Sequence, residues 1–486
     1  MDAFALELRG IVKTYAGGVR ALDGVDVTIA RGEIHALCGE NGAGKTTLAA
    51  IAAGRLRPTS GSVTRAGNAG FVPQHPHLVD RLRVWENVVL GREPRRGLRL
   101  DERAAREDVA ALGATYGLPV NPRARVETLD AGAKQRVEIL RELAREPALL
   151  ILDEPTSALA PAESDVLFDV LRALAARGTA VLVVTHDLGD VAAYAERITV
   201  LRAGRVAARF ERGAQPAAIA GAMIGGELPA LAARTSRATA PCFEARGLEA
   251  GSGAAALRGF DLEVRGGEIV GIAGVEGNGQ RPLADAIAGV APYRGTLHLD
   301  GRELAPGRPA ARIAAGLRTI AADRQREGLI LDWSVLENLA LGDQRRAPLG
   351  GGLTLHRGAM RDRSASVVER FDVRAPSLDA RVSMLSGGNQ QKLLAGRALA
   401  ETPRLLLACE PTRGIDVAAA ALLRSRLIEA RNAGVAVLAI SVELDELFEI
   451  ADRIVVLFRG AGAGEFERGA FDRARIGAAM AGVRGR

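Results

Sequence analysis

The string GENGAGKT, residues 39–46, has the spacing G-x-x-x-x-G-K-[ST]. It follows the apolar run IHALC and opens into TTLAAIAAG, the strand-to-helix context such a motif needs. The chemistry this suits is phosphate binding. Backbone N–H groups around Gly39, Asn41, Gly42 and Gly44, together with a helix N-terminus, face an anion. Lys45 adds a point charge, Thr46 offers a hydroxyl to Mg²⁺, and Thr47 completes the set. The apolar run ALLILDEP (148–155) ends in two carboxylates. Asp153 is placed to hold Mg²⁺ directly or through water, and Glu154 to polarise an attacking water. His186 follows the run AVLVVT and could hydrogen-bond a γ-phosphate. Gln74, in FVPQHPH, could bind Mg²⁺ or the attacking water. Tyr15 could stack on adenine or fill the core.

A second glycine-rich loop, GIAGVEGNGQRPL (271–283), repeats the rhythm but carries Gln280 and Arg281 where lysine and then serine or threonine belong. It is part of a larger repetition. Residues 21–48 match 256–283, 149–159 match 405–415, and 180–201 match 436–457, at offsets of roughly 235 to 256 residues. A period of this length means two whole domains. Each half alternates short Val/Ile/Leu runs with Ala/Leu/Arg stretches, predicting an α/β layer fold with buried parallel strands and ligands at their carboxyl ends. The expected division is a first domain at 1–228, a linker at 229–241 and a second domain at 242–486.

The 486 residues are too many for one core. Hydrophobic residues make up 48% and charged residues 25%, an ordinary globular balance. The net charge of +6 comes almost wholly from arginine, with no dense basic block that would predict nucleic-acid binding. The lysines are Lys13, Lys45, Lys134 and Lys392 alone, so a lysine in a glycine-rich loop stands out. Three cysteines, Cys38, Cys242 and Cys409, follow no metal spacing and suggest a reducing compartment. The start, MDAFALELRG, has no signal-peptide pattern, and no apolar run approaches the ~20 residues of a membrane span.

The string LSGGNQQKLLAGRAL (385–399) is similar to the signature motif of the nucleotide-binding domains of ABC ATPases. With the loop and carboxylate strand already described, the resemblance covers nearly the whole chain, twice. It implies two tandem P-loop NTPase domains, paired head to tail within one chain. In such pairs, the loop of one domain and the signature of the other close on one ATP. Site one then takes Lys45, Thr46, Gln74, Asp153, Glu154 and His186 from the first half and Ser386, Gly387 and Gly388 from the second. Site two is degenerate. Gln280 and Arg281 stand in its loop, while Ala322, Cys409 and Val442 stand at the positions of Gln74, Asp153 and His186. Its borrowed signature is LDAGA (129–133), with Asp130 in place of serine.

The unequal tandem layout, with GVEGNGQ, DRQREGLILDWSVLENLALG (323–342) and EPTRGIDV (410–417), resembles the ATPase subunit of importers for simple sugars and nucleosides. That implies ATP and Mg²⁺ as ligands. It implies two membrane-embedded permease subunits and an extracytoplasmic substrate-binding protein as partners, and a peripheral place on the cytoplasmic face of a bacterial inner membrane. Segments 75–92 and 323–345 resemble the permease-facing surface. Nucleosides are favoured over pentoses or hexoses by this likeness. The loop after Glu154 reads SALAP, with Ala160 where the family usually has aspartate. The competing reading is a soluble tandem ABC protein acting on ribosomes or nucleic acid. Such proteins resemble this chain in having two domains, but usually have two intact sites and a long charged linker.

Overall fold

The computed structural model describes residues 4–482 apart from 41, 75, 98, 157–160, 186–187, 227–229, 236–237 and 352–353. The chain forms two units, Met1–Leu228 and Pro229–Arg486. In the first, a six-stranded sheet runs in the order Ala69–Val72, Leu149–Asp153, Ala180–Val184, Ile34–Gly39, Arg197–Arg202, Arg205–Glu211. All neighbours are parallel except the last, antiparallel pair. The second unit repeats this order with Leu317–Ile320, Leu405–Cys409, Ala436–Ile440, Ile269–Ala273, Arg453–Phe458 and Ala461–Glu467. The expected α/β layering is thus present twice.

The central strands explain the absence of alternation in their sequences. Every residue of Ile34–Gly39, Leu149–Asp153 and Ala180–Val184 is buried, because helices cover one face and a smaller antiparallel sheet the other. That smaller sheet is built on Phe4–Thr14, flanked by Arg20–Ala30 and Ser60–Arg65. Its counterpart in the second unit is Pro241–Ala250, flanked by Leu257–Arg265 and Tyr293–Leu299. Parallel pairing sets the carboxyl ends of the strands side by side. Gly39, Asp153 and Val184 therefore reach one edge in the first unit, as do Ala273, Cys409 and Ile440 in the second.

Each unit braces the segment after its outermost parallel strand with one buried asparagine. Asn87 accepts from Val79 N at 2.8 Å and donates to Val79 O and Arg83 O. Asn338 accepts from Ile330 N at 2.9 Å and donates to Ile330 O and Ser334 O. The short helices Val84–Val89 and Val335–Ala340 are held by this device rather than by length.

The stretch read from sequence as a linker has partners of its own. Ala232 N donates to Ser425 Oγ at 3.1 Å, and Asn432 Nδ2 donates to Ala233 O at 2.7 Å. Arg234 pairs with Asp452 at 2.8 Å and donates to the carbonyls of Glu449 and Ile450. Asp452 also accepts from Ile269 N, at 2.9 Å, which ties this stretch to the start of a central strand. The described residues 230–235 are therefore a strap on the second unit. Arg234→Ala should raise the rate of proteinase K cleavage within 230–241 about tenfold, since a hydrogen bond to a charged group is worth roughly 1.5 kcal/mol. An unchanged cleavage rate would show that the strap is held by its other contacts.

Candidate functional site

The first-unit site grows from the turn that ends Ile34–Gly39. Gly39 and Gly44 have φ of 152° and 101°. A Cβ on Gly39 would lie 2.3 Å from Leu201 O, and one on Gly44 would lie 2.6 Å from Ala21 O. Only glycine fits where the loop passes this close to neighbouring backbone. Gly44 is the N-cap of the helix Lys45–Ala52. Lys45, only 6% exposed, turns its ammonium back to Gly39 O at 2.7 Å and Glu40 O at 3.1 Å. Burial lowers its pKa, opposed by the nearby charges of Glu154 and Asp153. Burial and the Glu154 charge raise the pKa of Asp153, opposed by a hydrogen bond with Thr46.

Glu154 sits one residue beyond its strand with φ 48°, and its N–H donates to Val184 O at 2.8 Å. A non-glycine residue in this region stores roughly 1–3 kcal/mol of strain, which fixes where the carboxylate points. Gln74 Nε2 donates to Glu154 Oε2 at 2.6 Å, across 80 residues of sequence. Tyr15 is 43% exposed, which rules out the core-packing alternative, and its hydroxyl lies 3.2 Å from Thr47 Oγ1. The fold thus brings together Lys45, Thr46, Asp153, Glu154 and Gln74, with Tyr15 and Thr47 adjoining. Gly42 lies in the same loop with φ 83°. Asn41, His186 and Ala160 lie outside the described residues. The donors gathered here, a threonine hydroxyl, a carboxylate and an amide, offer oxygen, the chemistry that suits Mg²⁺. A buried ammonium beside a glycine cradle suits phosphate.

In the second-unit loop, side chains of the loop itself bond Val275 O and Asn278 N. Gln280 donates to Val275 O at 2.9 Å and accepts from Asn278 N at 3.0 Å. Asn278 donates to Val275 O at 3.1 Å and accepts from Arg459 N at 2.8 Å. Arg281 is engaged by Asp285 at 2.9 Å and Glu327 at 2.6 Å, and both ion pairs raise its pKa. Cys409, at the place of Asp153, is buried, and burial pushes its thiol up to about 12. Glu410 keeps the left-handed backbone, φ 46°, and accepts from Val442 N at 3.1 Å. Burial, with the Glu446 charge behind it, raises Glu410 to about 8. Glu446 itself accepts from Thr412 Oγ1 at 2.7 Å and is raised by burial to about 7.

The two signature strings both begin helices. Ser386 caps Gly387–Ala398, and its Oγ accepts from Asn389 Nδ2 at 2.9 Å. Asp130 caps Ala131–Leu143, accepting from Ala133 N at 2.7 Å. Aspartate caps as well as serine, so the helix survives an exchange that would repel phosphate. Sequence reasoning did not find Glu446, Arg324 or Glu327. The dense charges of DRQREG were the only sign of the last two, and nothing in a linear reading pairs them with residues 46 to 90 positions away.

The profile of the family described as "ABC transporter" matches residues 22–157 and again 257–413. The glucose import ATP-binding protein TsgD13 of Haloferax volcanii is 39% identical, over 98% of this chain and 96% of its own length. The nucleoside import ATP-binding protein NupA of Lactococcus lactis is 37% identical, over 91% and 92%. The ribose import ATP-binding protein RbsA 1 of Rubrobacter xylanophilus is 39% identical, over 95% and 94%. Among solved structures, archaeal ribosome recycling factor aABCE1, in complex with stalk protein aP1, covers 96% of this chain and 92% of its own at a TM-score of 0.67. At 19% identity that likeness is one of fold. Two matched domains in one chain, and relatives aligned almost end to end, place this protein in the ABC transporter family, as one of its ATPases.

Proposed function

We propose that the chain is the energy-coupling subunit of an importer for nucleosides or simple sugars, with one competent ATP site. The observation that carries this reading is the contrast between the two loops. The first holds a buried lysine beside Thr46, Asp153 and Glu154, whereas the second has the neutral Gln280, bonded to Val275 O and Asn278 N, at the place of that lysine. The import-protein names of the relatives supply the transport direction and both substrate classes.

In this reading, the loop amides and Lys45 hold the phosphates, and Tyr15 stacks on the adenine. Thr46, Asp153 and Gln74 would hold Mg²⁺, which neutralises charge on the phosphate oxygens when bound. Glu154 orients the attacking water and takes its proton, with Gln74 fixing that carboxylate. His186 donates to the γ-phosphate. The second unit lends Ser386, Gly387 and Gly388, whose helix start favours an anion. At the second site Glu410 is raised to about 8 by burial and follows Cys409 rather than an aspartate, so the metal-holding carboxylate is missing beside it.

Segments 75–92 and 323–345 would meet two permease subunits, and a separate binding protein would deliver the solute. The exposed Val79, Leu90, Ile330 and Trp333 on them suit such a contact. Among the described residues no helix is long and apolar enough to cross a membrane, so the channel belongs to the partners. The placement that follows is peripheral, on the cytoplasmic face of a bacterial inner membrane. No nucleic-acid partner is implied, because the likeness to the ribosome recycling factor extends to fold alone.

Glu154→Gln should keep ATP binding and lower phosphate release about 100-fold or more. Wild-type turnover in that variant would sink the site assignment. Given labelled nucleosides, pentoses and hexoses, cells that depend on the chain should lose uptake of one class when they carry Glu154→Gln, and that class is the cargo.

Glu410→Gln should leave most hydrolysis intact and change the pH dependence of stability instead. Glu410 and Glu446 are raised in the folded state, to about 8 and about 7, from an ordinary carboxylate value of 4.5. The folded chain therefore binds more protons than the unfolded chain between about pH 4.5 and 8, and stability falls as pH rises through that window. Urea unfolding of the second unit at pH 6 and pH 8 should show that loss in the wild type and a smaller one in Glu410→Gln. Equal slopes would contradict it.

A further inference from the structure

The residues that follow Ala322 form a single π-helical turn, Arg324–Gly328, capped by Asp323, which accepts from Gln325 N and Arg326 N at 3.0 Å. π-turns are rare and are frequently found at functional sites. This one sends side chains and a carbonyl to three places. Arg324 reaches the loop after Glu410, donating to Arg413 O at 3.2 Å and Gly414 O at 3.4 Å. On the way it passes the signature: a Cβ on Gly387 would lie 2.7 Å from Arg324 Nη2. Gln325 donates to Gln390 Oε1, at 3.2 Å, in the signature helix, and Arg397 at the far end of that helix donates to Gly328 O at 2.6 Å. Glu327 receives Arg281 of the loop helix at 2.6 Å.

Arg281 stands at the place of Thr46, and the π-turn follows the place of Gln74. In the first unit those positions are the ones assigned to the metal. In the second, one ion pair joins the loop helix directly to the turn. The guanidinium is oriented by two carboxylates, Asp285 and Glu327, which limits its rotamers. The signature start has its own seat. Gly387 accommodates Arg324, and a Cβ on Gly388 would come within 3.0 Å of Asp416 Oδ2, the carboxylate that caps the helix Val417–Asn432. Both glycines therefore leave room for side chains of their own unit, which would have to shift if a Cβ were added.

We propose that Arg281, Glu327 and Arg324 form a nucleotide-independent brace that positions Ser386–Gly388 for turnover at the first-unit ATP site. This rests on the reading above, that the second-unit signature serves the Lys45 loop. The degenerate loop keeps a mechanical role, since its arginine anchors the turn from which the signature is held. All three are positioning residues and touch no reacting atom.

The test uses the full chain and reads kcat, KM for ATP and melting temperature together. Arg281→Gln and Glu327→Gln should each lower kcat about fivefold, which is ~1 kcal/mol at about 1.36 kcal/mol per tenfold. KM should stay within about twofold, because the Lys45 loop is untouched. The double variant should be no slower than either single one, and Arg281→Lys, which keeps the ion pair, should recover most of the rate. Arg324→Gln should cost about tenfold, consistent with the penalty for misplaced groups remote from the chemistry. Wild-type kcat in these variants overturns the brace. So does a fall in kcat that tracks a lower melting temperature and is not rescued by lysine. Ser386→Asp, which keeps the helix cap, separates the two readings. If it leaves turnover unchanged, the shared-site reading falls and the brace with it. If it abolishes turnover while the brace variants do not, the brace alone falls.

Discussion

A loop that joins a buried parallel strand to a helix carries several N–H and carbonyl groups that need partners. Most of what distinguishes the two halves of this chain follows from how that requirement is met. In the first unit, the Lys45 ammonium takes two of the loop carbonyls. In the second, the neutral amide of Gln280 both donates and accepts, and Asn278 closes the remainder. A neutral amide that can donate and accept satisfies the loop without the desolvation cost of a buried charge. It also puts a neutral group where the first loop carries a cation, the charge that suits phosphate.

The rest of each site tracks that difference. Glu154 and Glu410 share a left-handed backbone and an N–H bond to the next strand, so the turn is kept whatever the carboxylate does. Around Glu154 lie a buried lysine, a second acid and a glutamine donor, a setting that favours a working carboxylate. Around Glu410 lie Cys409, Glu446 and apolar neighbours, and burial holds the proton on. Geometry was retained while electrostatics changed, as expected where fold and reactivity depend on different contacts.

The signature helices show the same separation. Serine and aspartate are equally good caps, so Ser386 and Asp130 start equivalent helices, one bearing a neutral hydroxyl and the other a carboxylate at its N-terminus. Each helix also has support from the segment after its outermost parallel strand: Arg141 donates to His77 O at 2.8 Å beside the Asp130 helix, and the Ser386 helix has a set of its own. Arg324, Gln325, Gly328 and Asp416 surround the helix and its two glycines, and the arginine of the broken loop reaches into that support through Glu327. The contacts that hold the signature helix thus lie within its own unit.

The sequence by itself determined the repeat, the α/β layering, the strand ends at Gly39 and Asp153 with Glu154 just beyond, and the glycine loop that leads into Lys45 and Thr46. These depend on runs of about ten residues, within which hydrophobic pattern and glycine placement are set by local geometry. Tertiary structure alone decided that Gln74 bonds Glu154, that Tyr15 is exposed beside Thr47, that 230–235 are strapped to the second unit, and that Arg281 meets Glu327. Each of these pairs joins segments tens to hundreds of residues apart, and their meeting follows from strand order and register in the sheet. A glutamine or an arginine has many possible partners in a linear reading, and the edge where the parallel strands end selects one.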